Sequence, residues 1–256
     1  MHIKEKALRG EKVFGTMLRT VRNPAICLLA KQAGLDFVMF DCESPNYNIQ
    51  TLHDLCLMAN AAGLPPLARA SMLDKDWISR TLDCGAEGVM APMVETAGMA
   101  AELVKWSKYP PVGSRGFAPG GAAVRYARGA KHADAMRDGN ASVLTIAQIE
   151  TAEAIQNIDA IAGTPGVDVL LIGPNDLSIS LGVPGDVSGP VMEEAIGKVA
   201  AACRSAGKVF GMHAGPALLS RWAADLGFLM TGSDTDMLAT GLEGAMAAMR
   251  KAVGEK

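Results

Sequence analysis

No apolar run in this sequence approaches the roughly 18–20 residues that cross a bilayer, so no transmembrane helix is expected. The N-terminal stretch MHIKEKALRGEKVFG is too charged for the apolar core of a secretory signal, and a cytoplasmic placement is expected. Cysteines are few and odd in number: Cys27, Cys42, Cys56, Cys84 and Cys203. None forms a C-x-x-C pair, so neither a disulfide framework nor a cysteine zinc site is indicated, and reduced, buried thiols are expected. No basic stripe is present, and 24 basic against 27 acidic residues leave a formal charge of −3. A nucleic-acid partner is therefore not expected. No G-x-G-x-x-G follows the first apolar run, which argues against an open, doubly wound dinucleotide-binding sheet.

Present instead are short apolar runs separated by helix-like segments. The runs are KVFGTML (12–18), DFVMFD (36–41), PPLARA (65–70), EGVMAPM (87–93), SVLTIAQIE (142–150), VDVLLIG (167–173), KVFGMHA (208–214) and FLMTGSD (228–234). Runs this short, flanked by Gly or Pro, read as buried strands. The segments between them carry helix signals. Asn23 and Pro24 open one, and Gly34, Gly63 and Gly85 stand where three should end. Ile49, Leu52, Leu55, Cys56 and Ala59 share one helical face. Scarce Phe and abundant Ala suit helices packed closely around a tight barrel. Eight strand-then-helix units in 256 residues predict one α/β domain, a (β/α)₈ barrel. Two stretches interrupt the repeat, residues 110–141 and 181–190. Both are expected on the barrel rim, where substrate choice is tuned.

Chemistry in such barrels sits at the C-terminal strand ends. Reading those ends yields Asp41 and Glu43, Arg69, Pro92-Met93, Gln148 and Glu150, Asp176, and His213. Glu150 and Asp176 form a carboxylate pair with no His or Cys beside it, a donor set suited to a hard dication such as Mg²⁺ or Mn²⁺. Taken singly, each also reads as a helix cap. The turn GPNDL, Gly173 to Leu177, presents backbone N–H groups to an anion. Arg69 suits a developing oxyanion, or an ion pair with Asp41 or Glu43, or both. Dication, anion-binding turn and arginine together are what a 2-oxo acid needs to become an enolate.

On GLDFVMFDCESPNYNIQ, PLARA, LDCGAEGVMAPMVET, YPPVGSRG, AQIET and GVDVLLIGPNDLS the chain resembles the HpcH/HpaI family of class II, metal-dependent pyruvate aldolases. The resemblance implies a barrel in which Glu150 and Asp176 bind a divalent metal, with Mg²⁺ the first choice and Mn²⁺ or Co²⁺ alternatives. It implies that Arg69 stabilises the pyruvate enolate. Backbone amides around Gly173, Pro174, Asn175 and Asp176 would hold the carboxylate, and Gln148 would lie near the metal's waters. It further implies a hexamer, a trimer of dimers swapping the last helix, although packing of that helix on its own barrel is the simpler alternative. The implied activity is cleavage of a 4-hydroxy-2-oxo or 2-oxo-3-deoxy acid to pyruvate and an aldehyde. An acyl-CoA lyase of citramalyl or malyl type fits the motif spacing less well.

One family feature is missing. The family loop Asp-Gly-Glu-His supplies a histidine base, oriented by an aspartate matching Asp83. Here the loop is DCES, with Ser44 at the histidine position. A serine hydroxyl is a poor base near neutral pH. Water on the metal or His213 would then take the proton. Otherwise the chain keeps only enolisation-type work, such as oxaloacetate decarboxylation, or only 2-oxo-acid binding.

Overall fold

The computed structural model describes residues 2–255. Eight parallel strands close in chain order, from β1 (Val13–Leu18), β2 (Phe37–Asp41), β3 (Pro66–Arg69) and β4 (Gly88–Ala91) to β5 (Leu144–Ile149), β6 (Val169–Ile172), β7 (Val209–His213) and β8 (Leu226–Ser233). All eight fall on the apolar runs. The order β1 to β8, with β8 pairing back to β1, is the expected (β/α)₈ barrel.

Helices follow the strands where capping residues start them. α1 (Ile3–Leu8) precedes β1, and its Ile3 and Ala7 join the cluster that fills the barrel interior. α2 (Ile26–Gln32) begins two residues later than Pro24 suggested. Asn23 caps a turn at Ala25 rather than the helix itself, and Gly34 then ends the segment at φ 85°. Asn48 caps α3 (Ile49–Ala61), Asp74 caps α4 (Lys75–Asp83) and Thr96 caps α5 (Ala97–Ser107), each through a side-chain oxygen. α6 (His132–Ser142), α7 (Ala152–Gln156), α8 (Ile158–Ala162), α9 (Pro174–Ser180), α10 (Pro190–Ala206), α11 (Pro216–Arg221) and α12 (Asp234–Val253) complete the set.

Alternate strand residues point into the barrel. Phe37 and Phe228 stack there at 4.4 Å, both fully buried. Each such burial is worth roughly 1.5–3 kcal/mol. Gly15 makes room for them, since a Cβ at Gly15 would lie 2.4 Å from the Phe37 ring. The outer layer, between sheet and helices, includes Leu52, Leu55, Cys56 and Ala59 of α3, the face expected from spacing.

Two elements stand apart from the strand-helix repeat. Residues 110–141 follow α5 and lead into β5, so they lie at the N-terminal end of the barrel, opposite the mouth at the C-terminal strand ends, where Arg125 pairs with Glu87 just ahead of β4. They do not line the mouth. Residues 181–190 follow α9 and do reach it, through Val187 and Ser188. The second is α12, which beyond its first residue is exposed from Thr235 through Glu255, so the alternative of packing along its own barrel does not hold within this chain. Leu238, Leu242, Met246, Met249 and Val253 form an exposed apolar stripe along it. Phe14, on the outer face of β1, is half-exposed where an eighth helix would cover it.

Candidate active site

The interior register decides which side chains reach the mouth. Met39 of β2, Leu67 of β3, Ile146 of β5, Leu171 of β6 and Val209 of β7 point inward. Further steps of two along the same strands bring Asp41, Arg69, Gln148, Glu150, Gly173 and His213 to the C-terminal end. The sequence therefore places these residues on one rim through nothing more than alternation.

Arg69 is held as a clamp. Its Nε and one terminal nitrogen each donate to Asp41 at 2.8 Å, a bidentate pair, and its other terminal nitrogen meets Glu43 Oε2 at 2.6 Å. Asp41 is fully buried. Burial alone would raise its pKa, but the Arg69 hydrogen bonds and charge, with the Ser44 hydroxyl and the Glu43 amide, hold it below the ordinary value. Burial also works against the charge on Arg69, and Asp41, Glu43 and Glu150 more than offset it. Three of the five guanidinium N–H groups are so engaged, which leaves two for a substrate oxygen. Ser44 donates to Asp41 Oδ2 at 2.6 Å, so its oxygen braces the clamp. Burial raises the pKa of Glu43 despite Arg69.

Glu150 is 2% exposed and accepts from the Met93 amide at 2.9 Å and from Gln148 Nε2. It is not a helix cap. Thr151 caps α7, by accepting from the Ala154 amide. Burial, with Asp176 nearby, pushes the Glu150 carboxyl up to about 7, the Met93 amide opposing. Asp176 lies in the first turn of α9, exposed at the mouth, and no side chain caps that helix. Gly173 allows the close approach of Glu150 and Gln148, because a Cβ there would fall 2.7 Å from Glu150 Oε2 and 2.9 Å from Gln148 Nε2. The anion-binding turn is narrower than expected. Pro174 has no N–H and the Gly173 amide donates to Ile149 O, so Asn175 and Asp176 supply the first-turn N–H groups.

Met93 falls at the strand end where the sequence puts it, but its role at Glu150 has no counterpart in the sequence reading. Its backbone takes φ 52°, a left-handed conformation rare for Met, and this aims its amide at Glu150. No sequence signal marks it beyond the preceding proline.

His213 ends β7, halfway round the barrel from Arg69 on β3, and its Nε2 lies 2.9 Å from Gly232 O. A carbonyl only accepts, so Nε2 carries the proton and Nδ1 is the basic nitrogen. Burial lowers the His213 pKa against the Gly232 bond, and Arg69 lowers it further. His213 lines a cavity of about 740 Å³ at the mouth with Met17, Arg19, Asn175, Ser188 and Asp236.

Asp83 is not brought to Ser44. It ends α4 at the opposite end of the barrel and pairs with Arg115, which is buried and stacked over Tyr109. Within one chain, Asp83 and Ser44 share no hydrogen bond, Ser44 donating to Asp41 instead.

The donors present fit a dication. A buried carboxylate held near neutrality, a second carboxylate close enough to raise it, and the buried Gln148 Oε1 with no hydrogen-bond partner all call for positive charge and water. Among the described residues no group of three His, Cys, Asp or Glu could hold an ion. Two carboxylates plus water and substrate oxygens is a usual set for a Mg²⁺-like ion.

A family model described as HpcH/HpaI aldolase/citrate lyase matches residues 17–248. A 2-keto-3-deoxy-L-rhamnonate aldolase of Klebsiella pneumoniae is 34% identical over 252 residues, 96% of this chain and 92% of the relative. A 4-hydroxy-2-oxo-heptane-1,7-dioate aldolase of Salmonella arizonae is 35% identical over 249 residues, with the same coverage of 96% and 92%. The crystal structure of an HpcH/HpaI aldolase from Desulfitobacterium hafniense superposes with a TM-score of 0.92 at 34% identity, covering 98% of this chain and 97% of that one. With the family model matched over most of its length and relatives of matched length and barrel, the chain belongs to the HpcH/HpaI aldolase/citrate lyase family.

Proposed function

We propose that the protein is a carbon–carbon lyase that cleaves a 4-hydroxy-2-oxo or 2-oxo-3-deoxy acid to pyruvate and an aldehyde. The observation that carries this is the facing pair of sites at the mouth: the charged Arg69 clamp and the buried Glu150 with Asp176. Glu150 and Asp176 would hold a divalent ion, Mg²⁺ before Mn²⁺ or Co²⁺. When bound it supplies the charge that makes enolisation of a 2-oxo acid accessible at neutral pH. The Asn175 and Asp176 amides hold the pyruvate carboxylate, and Gln148 orders water through its free Oε1. Arg69 meets the developing enolate oxygen with its two free N–H groups. Its rigid pairing with Asp41 means that little reorganisation is needed as charge appears.

The proton from the C4 hydroxyl needs an acceptor. Ser44 is committed to Asp41 as a donor, which favours His213 Nδ1. The same Ser44 bond favours a second reading, in which cleavage is weak and the site chiefly enolises or decarboxylates 2-oxo acids. The five buried, unpaired thiols agree with a cytoplasmic enzyme. The stripe on α12 and the uncovered Phe14 support a swapped last helix in a homo-oligomer, a hexamer by family resemblance. Sedimentation of wild type against Leu242→Glu tests it, with a monomeric wild type counting against. For the chemistry, wild type with Mg²⁺, Mn²⁺ or Co²⁺ should exchange the pyruvate methyl protons for deuterium. Loss of exchange in Arg69→Ala is expected. No exchange with any of the three ions sinks the enolate reading.

A further inference from the structure

Resting on the aldolase reading, we infer that Arg19 makes this mouth selective for an aldehyde that carries a carboxylate, so that the full substrate is a 4-hydroxy-2-oxo diacid. Three observations carry it. First, Arg19 continues the inward register of β1, Val13, Gly15 and Met17, and lines the same 740 Å³ cavity as His213 and Asn175. The pyruvate half is assigned to the side of Arg69, Glu150 and the Asn175 amide, so the remainder of this cavity, toward Arg19 and His213, falls to the aldehyde half.

Second, the segment bearing Arg19 is built rather than loose. Asp234, 2% exposed, accepts from the amides of Arg19, Thr20 and Val21 at 3.0, 2.9 and 2.6 Å. Asn46 donates to the Arg19 carbonyl at 3.0 Å, and the Thr20 and Thr235 hydroxyls meet at 2.7 Å. A cation on a pinned backbone loses less freedom when it binds an anion.

Third, the charge at the mouth is otherwise matched. Arg69 is balanced by Asp41 and Glu43, and Glu150 and Asp176 by the ion they would share. Among the described residues the Arg19 guanidinium has no carboxylate within ion-pair distance, as none of the ion pairs includes it. Asp236 also lines the cavity, but it is accommodated at the start of α12, where the Ser233 hydroxyl donates to it at 2.8 Å. An unpaired guanidinium facing a substrate cavity is a carboxylate site, and its planar donors suit a bidentate grip. A polyhydroxylated aldehyde would leave it unmatched.

The test runs in the synthetic direction with Mg²⁺ and pyruvate. The enolate carbon bonds to the aldehyde carbon, the aldehyde oxygen takes up a proton, and nothing is oxidised. Succinic semialdehyde, its methyl ester and lactaldehyde are compared for wild type, Arg19→Ala and Arg19→Lys. The charged aldehyde should exceed its ester in kcat/KM by about tenfold or more in wild type. Arg19→Ala should erase that ratio and Arg19→Lys restore part of it. Because the ratio is taken within each variant, a partly folded preparation does not distort it. A wild-type ratio near one, a ratio unchanged in Arg19→Ala, or a preference for lactaldehyde overturns the inference alone. No condensation with any of the three aldehydes overturns the aldolase reading, and the inference with it.

Discussion

Arg69 grips Asp41 through two parallel hydrogen bonds of 2.8 Å, and Ser44 adds a third contact of 2.6 Å to the same carboxylate. The carboxylate is therefore a brace for the guanidinium. Lysine keeps the charge but cannot form the two-point grip. Arg69→Lys should cut metal-dependent pyruvate exchange by about 100-fold or more, the size of losing a preorganised oxyanion donor. Deuterium incorporation followed by NMR measures it, and retention of more than a tenth of the rate refutes the clamp.

Gly173 packs backbone against Glu150 and Gln148 with no room for a methyl group, 2.7 Å from Glu150 Oε2. Its φ of −96° suits any residue, so the only penalty of alanine is this clash. Gly173→Ala should fold normally and weaken Mn²⁺ binding about tenfold or more as Glu150 is displaced. Electron paramagnetic resonance of free Mn²⁺ reports it directly.

Glu150 links pH to stability. Its folded-state pKa, about 7, stands above its ordinary 4.5, so the folded state favours the protonated form. The contribution is full below pH 4.5 and is lost as pH rises through 7, on the order of 3 kcal/mol in all. Metal-free protein should therefore lose thermal stability between pH 5 and 8, Glu150→Gln should flatten that slope, and Mg²⁺ should offset it in wild type only. A Glu150→Gln slope equal to wild type would rule out this residue as the cause.

His213 and Ser44 separate the two halves of the reaction. His213→Leu should lower aldol cleavage by about 100-fold, the range of general base catalysis, with pyruvate exchange still running. Because burial and Arg69 lower the His213 pKa, the acid limb of kcat/KM should fall below pH 6.5 in wild type. The base must be neutral, so activity is lost as pH drops through that pKa. Ser44→His in the His213→Leu background should restore part of the cleavage. Equal loss of cleavage and exchange in His213→Leu would remove His213 from the proton transfer.

Much of this site is legible in the sequence. Alternation along eight apolar runs places Asp41, Arg69, Gln148, Glu150 and His213 on one rim, because side-chain period and strand direction are local properties of the chain. The end at which residues 110–141 lie was equally legible, since a segment that precedes a strand belongs to the N-terminal face.

What only the tertiary structure decided depends on contacts between distant segments. Met93 adopts φ 52° because Glu150, 57 residues on, accepts its amide. Asp83 goes to Arg115 and not to Ser44 because α4 runs away from the mouth. Asp234 pins the Arg19 segment only once β8 closes on β1. α12 carries its apolar stripe off the barrel, although the same sequence would serve a helix packed at home. The sequence determined the strands, the register and the chemical kinds at the mouth through short-range patterns. Closure of the barrel decided which of those groups meet, because hydrogen bonds and ion pairs between remote strands have no local signature in the chain.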